Sequence, residues 1–561
     1  MAISSLLVTL ALVVKSIHAS PTNSSAVPLA TVLNGTYAGL YLPTFNQDVF
    51  LGMPYAQDTG GPNRFRIPQA VNEKWDGIRD AKNYSMACPD ISPEDWVYGV
   101  GEDCLSINVV RPAGVDLKEG ERLPVAVWIH GGSYQTGTSS LQNHNLSYIV
   151  DRSVEIGKPI LATSINYRKG GWGMMYSREI QGSGNTNLSL RDMRKALAWI
   201  SENIHAFGGN SSQVTIWGES AGSFAIGQLL MTYGGRSDNL FHGFIQESGS
   251  AATAWYNGSD WYQPIYDKIV NQVDCTDAID TLECLRTVPY EDLYPFMNSS
   301  TVAGPGFYPT VDGDIIPNYP TILLAENRFA HIPHLYGTNS DEGTANAPSD
   351  NIINTDDDLR WYLRTQTGFN FPNSTIETLL TLYPDDPALG IPLNTGPERF
   401  AAHGAQYKRI AAILGDVFYH APRLADARAY SASGDRTYIY RFNTRPFSGT
   451  TPAWQGVAHF SEVAFVFNNP TDIGPFLGGY EALGKTMSAL WISFIRAGDP
   501  NGVGLPLWPE YGYGYGNGDG SGKGKDLVLQ TEAQGGCVVE EDVWRLEGRE
   551  FLSRWARRRH V

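Results

Sequence analysis

Ser220 stands in Gly218-Glu219-Ser220-Ala221-Gly222, between the run Val214-Thr215-Ile216-Trp217 and the apolar segment Ser223–Met231. The first run is β-branched and aromatic, the composition of a buried strand, and the second reads as a helix. A serine on such a turn is a nucleophile elbow: two glycines let the backbone pass closely and the hydroxyl projects from the top of the sheet. The helix that starts there directs the positive end of its dipole at developing negative charge. In a glycine-rich chain the five-residue pattern alone is weak, so the rest of the sequence must supply partners.

A serine hydroxyl needs a base, and the base needs an orienting acid. For an elbow serine these follow in the order acid, then histidine. His130, His144 and His205 precede Ser220 and are set aside. His331 and His334 precede the best acids; their His-x-x-His spacing suggests a metal, but they flank a strand, where packing is the simpler reading. His403 and His420 sit in helix-like sequence, and His560 is next to the C-terminus. His459 lies in a loop beyond a strand, close to Gly456, where a base belongs. Asp341 and Glu342 both follow a strand end, and at this level either carboxylate could orient the imidazole.

The elements that would position these groups alternate along the chain. Leu123–Ile129 is a nearly continuous apolar strand, the pattern of a sheet covered on both faces, and it runs into His130-Gly131-Gly132-Ser133-Tyr134. Pro159–Tyr167, Phe244–Gln246, Pro333–Gly337 and Thr437–Phe442 read as further strands, and Asp48–Ala56 and Glu102–Pro112 as earlier ones. Leu190–Phe207 has apolar residues at helical spacing with Ser189 as N-cap. Thr355–Tyr430 looks mainly helical and Lys485–Ala497 is a late helix. Residues 255–330 look less regular. Alternating strands and helices imply a mostly parallel twisted sheet with helices on both faces.

Composition bounds the reading. The 561 residues are 42% hydrophobic and 18% charged, enough for a large core, and the formal charge of −17 argues against nucleic acid or anionic membrane as partners. Residues 1–20 carry an apolar run too short to span a bilayer, with Ala19 at a cleavage position, the pattern of a secretory signal peptide. Residues 21–561 then form a single domain, with a Gly-rich loop at 511–525. Nine Asn-x-Ser/Thr sites, at Asn23, Asn34, Asn83, Asn145, Asn187, Asn210, Asn257, Asn298 and Asn373, fit a secreted glycoprotein. Of five cysteines, proximity pairs Cys88 with Cys104 and Cys275 with Cys284 as disulfides and leaves Cys537. No membrane anchor is expected.

Four stretches resemble the type-B carboxylesterase/lipase family: FGGNSSQVTIWGESAG, EDCLSINVVRP, GTNSDEGT and GVAHFSE, collinear over about residues 30–510. The resemblance implies an α/β-hydrolase fold and a secreted serine carboxylic ester hydrolase with no metal or cofactor. It implies Glu342 as the acid, His459 as the base and an acyl-enzyme on Ser220. The backbone N–H groups of Gly132, Ser133 and Ala221 would hold the oxyanion. Glu219 and Ser248 match a polar network behind the site in relatives. Ser133 departs from the third glycine usual in the family, which counts against bulky tertiary-alcohol esters. In fungal lipases of the family the first disulfide closes a long apolar flap; here that loop is short and acidic, which favours soluble or short- to medium-chain esters over triacylglycerol. Biosynthetic acyl transfer would share the same acyl-enzyme. A non-catalytic adhesion module, as in the neuroligin branch, would lack the serine and carry an anchor.

Overall fold

A computed structural model describes residues 27–92, 97–114, 122–253, 255–446, 451–473, 479–512 and 523–559. The expected signal peptide, Asn23 and most of the 511–525 loop lie outside the described residues. One sheet organises the chain. Its strands, in chain order, are β1 (Leu40–Leu42), β2 (Gln47–Pro54), β3 (Ser106–Pro112), β4 (Leu123–Ile129), β5 (Leu161–Ile165) and β6 (Gly209–Glu219). They continue with β7 (Gly243–Glu247), β8 (His334–Asn339), β9 (Thr437–Phe442), β10 (Lys525–Leu529) and β11 (Val538–Glu541). The spatial order is β1-β2-β3-β5-β4-β6-β7-β8-β9-β10-β11. From β5 across to β10 the pairings are parallel, and the edges are antiparallel. A separate small sheet joins Leu29–Thr31, Thr36–Ala38 and Ile78–Asp80. This is the mostly parallel sheet of an α/β-hydrolase.

Every residue of β4 is buried because both faces of the sheet are covered. Val125, Val127 and Ile129 enter the core cluster beneath helices Leu188–Asn203 and Ala221–Met231. Ala126 and Trp128 point the other way, into the cluster with Trp217 and helix Tyr480–Ala497. The period-two alternation thus feeds two apolar cores, which is why the strand reads as a continuous hydrophobic run.

Three details differ from the sequence reading. The helix begins at Leu188, with Asn187 as N-cap, so Ser189 lies inside it and donates its hydroxyl to the Arg168 carbonyl. Segment 255–330 is mostly helical, including Ser259–Gln272, Thr281–Thr287 and Tyr290–Met297; Pro264 and Pro295 inside two of these helices hid the pattern. Asn187 is buried, its amide donating to Thr310 O and Asp312, so this sequon has no room for a glycan.

Candidate active site

The parallel strands deliver their C-terminal ends to one place, where ligands bind in open α/β sheets. Ser220 leaves β6 and its N–H donates to Glu247 O at 2.9 Å; Ser248 leaves β7 and donates to Gly337 O at 2.9 Å. Glu342 follows β8, and His459 lies on the turn beyond β9.

Ser220 has φ 53° and ψ −124°, a conformation an L-residue adopts at a cost of about 1–3 kcal/mol, held by the strand before it and the helix after it. Gly222 permits the turn: a Cβ there would run into the Ile129 carbonyl oxygen. The loop after β4 passes directly beside the serine. A Cβ on Gly131 would lie 3.0 Å from Ser220 Cβ and 2.7 Å from Glu219 O, so only glycine fits. The next residues turn through φ 102° at Gly132 and 56° at Ser133. Among the described residues no acceptor faces the N–H of Gly132 or Ser133. The Ala221 N–H opens a helix, where N–H groups have no intrahelical partner.

His459 Nδ1 meets Glu342 Oε2 at 2.7 Å. Glu342 is fully buried, and its Oε1 accepts from Asn339 N–H at 2.7 Å and from the Ser248 hydroxyl. Asp341 does not reach the ring. Its two oxygens each accept a backbone N–H at 2.8 Å, from Leu393 and Val457, and burial lifts its pKa to about 6. Geometry thus separates the two acids that the residues alone left open.

Glu219 and Ser248 are both in the site. Glu219 Oε1 lies 3.2 Å from His459 Nε2 without hydrogen-bond geometry, so it acts on the ring by charge. Burial would push the imidazole down, but Glu219 and then Glu342 outweigh it and hold its pKa at about 9. Burial in turn lifts Glu219 well above the carboxylate range, opposed by His459 and aided by Glu462 and Glu342.

Two further carboxylates stand behind these and were missed in the sequence. Glu462, three residues beyond His459, accepts from Asn339 Nδ2 at 2.6 Å; burial and the Glu342 charge raise its pKa to about 7. Glu247 Oε1 accepts from the indoles of Trp217 at 2.7 Å and Trp491 at 2.6 Å, and burial raises it well above the usual range. The His-x-x-Glu spacing at 459–462 was the available signal; nothing local marked Glu247.

Four of the other histidines have different occupations. His130 is buried and stacks on Tyr167 at 4.4 Å, and His420 bonds Thr338 Oγ1 at 3.0 Å. His331 pairs with Asp435 at 2.8 Å, while His334 is stacked on Phe244 at 4.2 Å, so this His-x-x-His faces two separate environments. The disulfides Cys88–Cys104 and Cys275–Cys284 are both formed, and Cys537 is free.

The model of the carboxylesterase family matches residues 25–521. The chain belongs to the carboxylesterase family. As a member it is a carboxylic ester hydrolase. It is 33% identical over 527 residues to "Lipase 4" of Diutina rugosa, covering 87% of this chain and 90% of that protein. It is 31% identical over 494 residues to human "Carboxylesterase 5A", covering 83% and 80%. A crystal structure of Aspergillus niger EstA superposes with a TM-score of 0.80 at 26% identity, covering 96% of this chain and 99% of that one.

The carboxylates around the ring give the esterase a testable pH signature. An imidazole acting as general base works when neutral, so with His459 in that role kcat/KM is expected to fall as pH drops through the imidazole pKa. Glu219→Gln removes the foremost charge raising that pKa. The acidic limb of the kcat/KM profile is therefore expected to move to lower pH in the variant. A limb that stays in place or moves up would contradict the role of Glu219.

Proposed function

We propose that the enzyme hydrolyses soluble carboxylic esters with short or medium acyl chains, outside the cell, through an acyl-enzyme on Ser220. His459 takes the hydroxyl proton as Oγ attacks the ester carbonyl, and Glu342 holds the ring and stabilises its charged form. The carbonyl oxygen, now negative, is received by the N–H groups of Gly132, Ser133 and Ala221, each such donor being worth about 2.7–4 kcal/mol. His459 returns the proton to the departing alcohol. A water then attacks the acyl carbon, giving its proton to His459, which passes it to Ser220 Oγ as the acyl–oxygen bond breaks and the carboxylic acid leaves. The observation that carries this reading is the 2.7 Å Glu342–His459 contact at the strand end beside the strained Ser220 turn.

Support for small esters comes from the Cys88–Cys104 loop. The two cysteines are only 16 residues apart, Asp90 in that loop is a buried charge paired with Lys169, and the Asp90 carbonyl accepts from the Tyr294 hydroxyl. Support for an extracellular site comes from the two disulfides and from a relative named "Secreted lipase 1", of Botryotinia fuckeliana, 32% identical over 540 residues. Several relatives are named lipases, which keeps triacylglycerol as the second reading.

The test has two arms. A fluorophosphonate is expected to label the wild-type protein and not Ser220→Ala; equal labelling of both would defeat the assignment of the nucleophile. Hydrolysis of p-nitrophenyl acetate should exceed that of emulsified long-chain triglyceride, and the reverse order would establish the lipase reading instead.

A further inference from the structure

Lys169 is a buried cation close to, but outside, the reacting groups. Its side chain is 1% exposed, and Nζ meets Asp90 Oδ2 at 2.8 Å, with Asp90 itself fully buried. Nζ also donates to the carbonyl of Gly137, the residue that closes the loop begun at His130. Gly137 is packed onto the start of that loop: a Cβ there would lie 2.6 Å from Gly131 O. The backbone beside Lys169 adds a second tie, Gly170 N–H donating to Tyr134 O at 2.6 Å. On the far side, Asp90 belongs to the Cys88–Cys104 loop, and its carbonyl accepts from the Tyr294 hydroxyl at 2.9 Å and from Asn298 Nδ2.

The loop held this way is the one that carries the Gly132 and Ser133 N–H groups and passes beside Ser220 at Gly131. Both residues have positive φ, and Ser133 carries a Cβ that resists that conformation, so the loop needs external restraint to keep its amides aimed. A buried lysine shared between a carboxylate of the disulfide-closed segment and a carbonyl of this loop supplies it, because moving the loop away breaks the charge-assisted hydrogen bond from Nζ to Gly137 O in the interior.

We propose that Lys169, with Asp90, is a positioning pair for the oxyanion loop, locking Gly132 and Ser133 to the disulfide-closed segment. The proposal rests on the reading of those amides as the oxyanion site. An interaction with the oxyanion exists only in the transition state, so a displaced loop lowers kcat and leaves KM nearly unchanged.

The experiment uses the full chain with Lys169→Met and Asp90→Leu combined, since replacing both members of a buried ion pair by apolar groups is tolerated where removing one is not. Active sites are titrated with a fluorophosphonate, so that unfolded protein does not enter kcat. On p-nitrophenyl acetate, kcat per titrated site is expected to fall about tenfold or more, with KM within twofold. Inhibition by phenylboronic acid, which forms a tetrahedral anionic adduct on the serine, should weaken by the same factor. A smaller fall in kcat, a loss carried by KM, or undiminished boronate binding overturns the proposal. Wild-type protein that takes up the label and hydrolyses the ester upholds the reading of the site whichever way the variant behaves.

Discussion

Glu342→Gln is expected to lower kcat on a soluble ester by about four orders of magnitude with little change in KM. The reason is in the environment of the carboxylate. Oε1 accepts from Asn339 N–H and the Ser248 hydroxyl, so a glutamine would keep its carbonyl oxygen there and turn its amide nitrogen to the Oε2 position. That nitrogen would donate to His459 Nδ1, where Oε2 now accepts at 2.7 Å. The ring proton would then sit on Nε2, the nitrogen that takes the proton of Ser220 in the mechanism we propose. Asp341→Asn is the matched control. Asparagine has one acceptor oxygen for the two backbone N–H groups that Asp341 now holds, so stability falls by about 1–3 kcal/mol. Its kcat per titrated site should stay within about tenfold of wild type. Equal losses in kcat for the two variants would sink the distinction between them.

The same pair of residues marks the limit of what the sequence carried. Asp341 and Glu342 are adjacent, chemically alike and past the end of one strand, and nothing in their spacing says which side chain turns toward the site. The turn is set at long range: Val457 and Leu393 capture Asp341, and Ser248 and Asn339 orient Glu342. The family resemblance points to Glu342, and the packing turns that carboxylate rather than Asp341 onto His459.

The strands were legible for a different reason. Leu123–Ile129 comes out with the bounds read from the sequence because burial on both faces leaves an uninterrupted apolar run, and Thr437–Phe442 does so on its β-branched and aromatic content although Arg441 interrupts it. The helices of 255–330 were not, because internal prolines break the local signal while tertiary packing keeps the helix. The buried charges were least visible of all. Lys169, Glu247 and Glu462 read as ordinary polar residues until their distant partners are known, and those partners lie 79, 244 and 123 residues away.

A buried charge also governs the largest expected effect on stability, and it lies beyond the end of the family match at residue 521. Asp542 Oδ1 accepts from Arg423 Nη2 at 2.7 Å and from Arg549 Nη1 at 2.6 Å, and all three side chains are at most 3% exposed. Arg423 belongs to helix Ala421–Ala432 and Arg549 to the last helix, Leu546–Arg559, so one carboxylate joins the C-terminal segment to the body. Among the described residues, Arg423 Nε and Nη1 have no other acceptor. Asp542→Ala would remove the carboxylate that the two buried guanidinium groups share, leaving Arg423 with only the nearby charge of Asp526, a loss of about 3–5 kcal/mol. Burial opposes ionisation of Asp542, but Arg423 and Arg549 outweigh it and hold its pKa well below the usual carboxylate range. Its contribution is therefore full above the unfolded aspartate pKa of about 3.9 and is lost as pH falls toward the depressed folded value. Urea unfolding at neutral pH should show the midpoint of Asp542→Ala shifted down at unchanged slope. The gap between variant and wild type should close as the medium is acidified below about pH 4. A midpoint equal to wild type at neutral pH would mean that the C-terminal segment is held by its other ties, the pairing of Tyr440 with Leu527 and the Arg545–Asp416 and Arg428–Glu550 ion pairs among them.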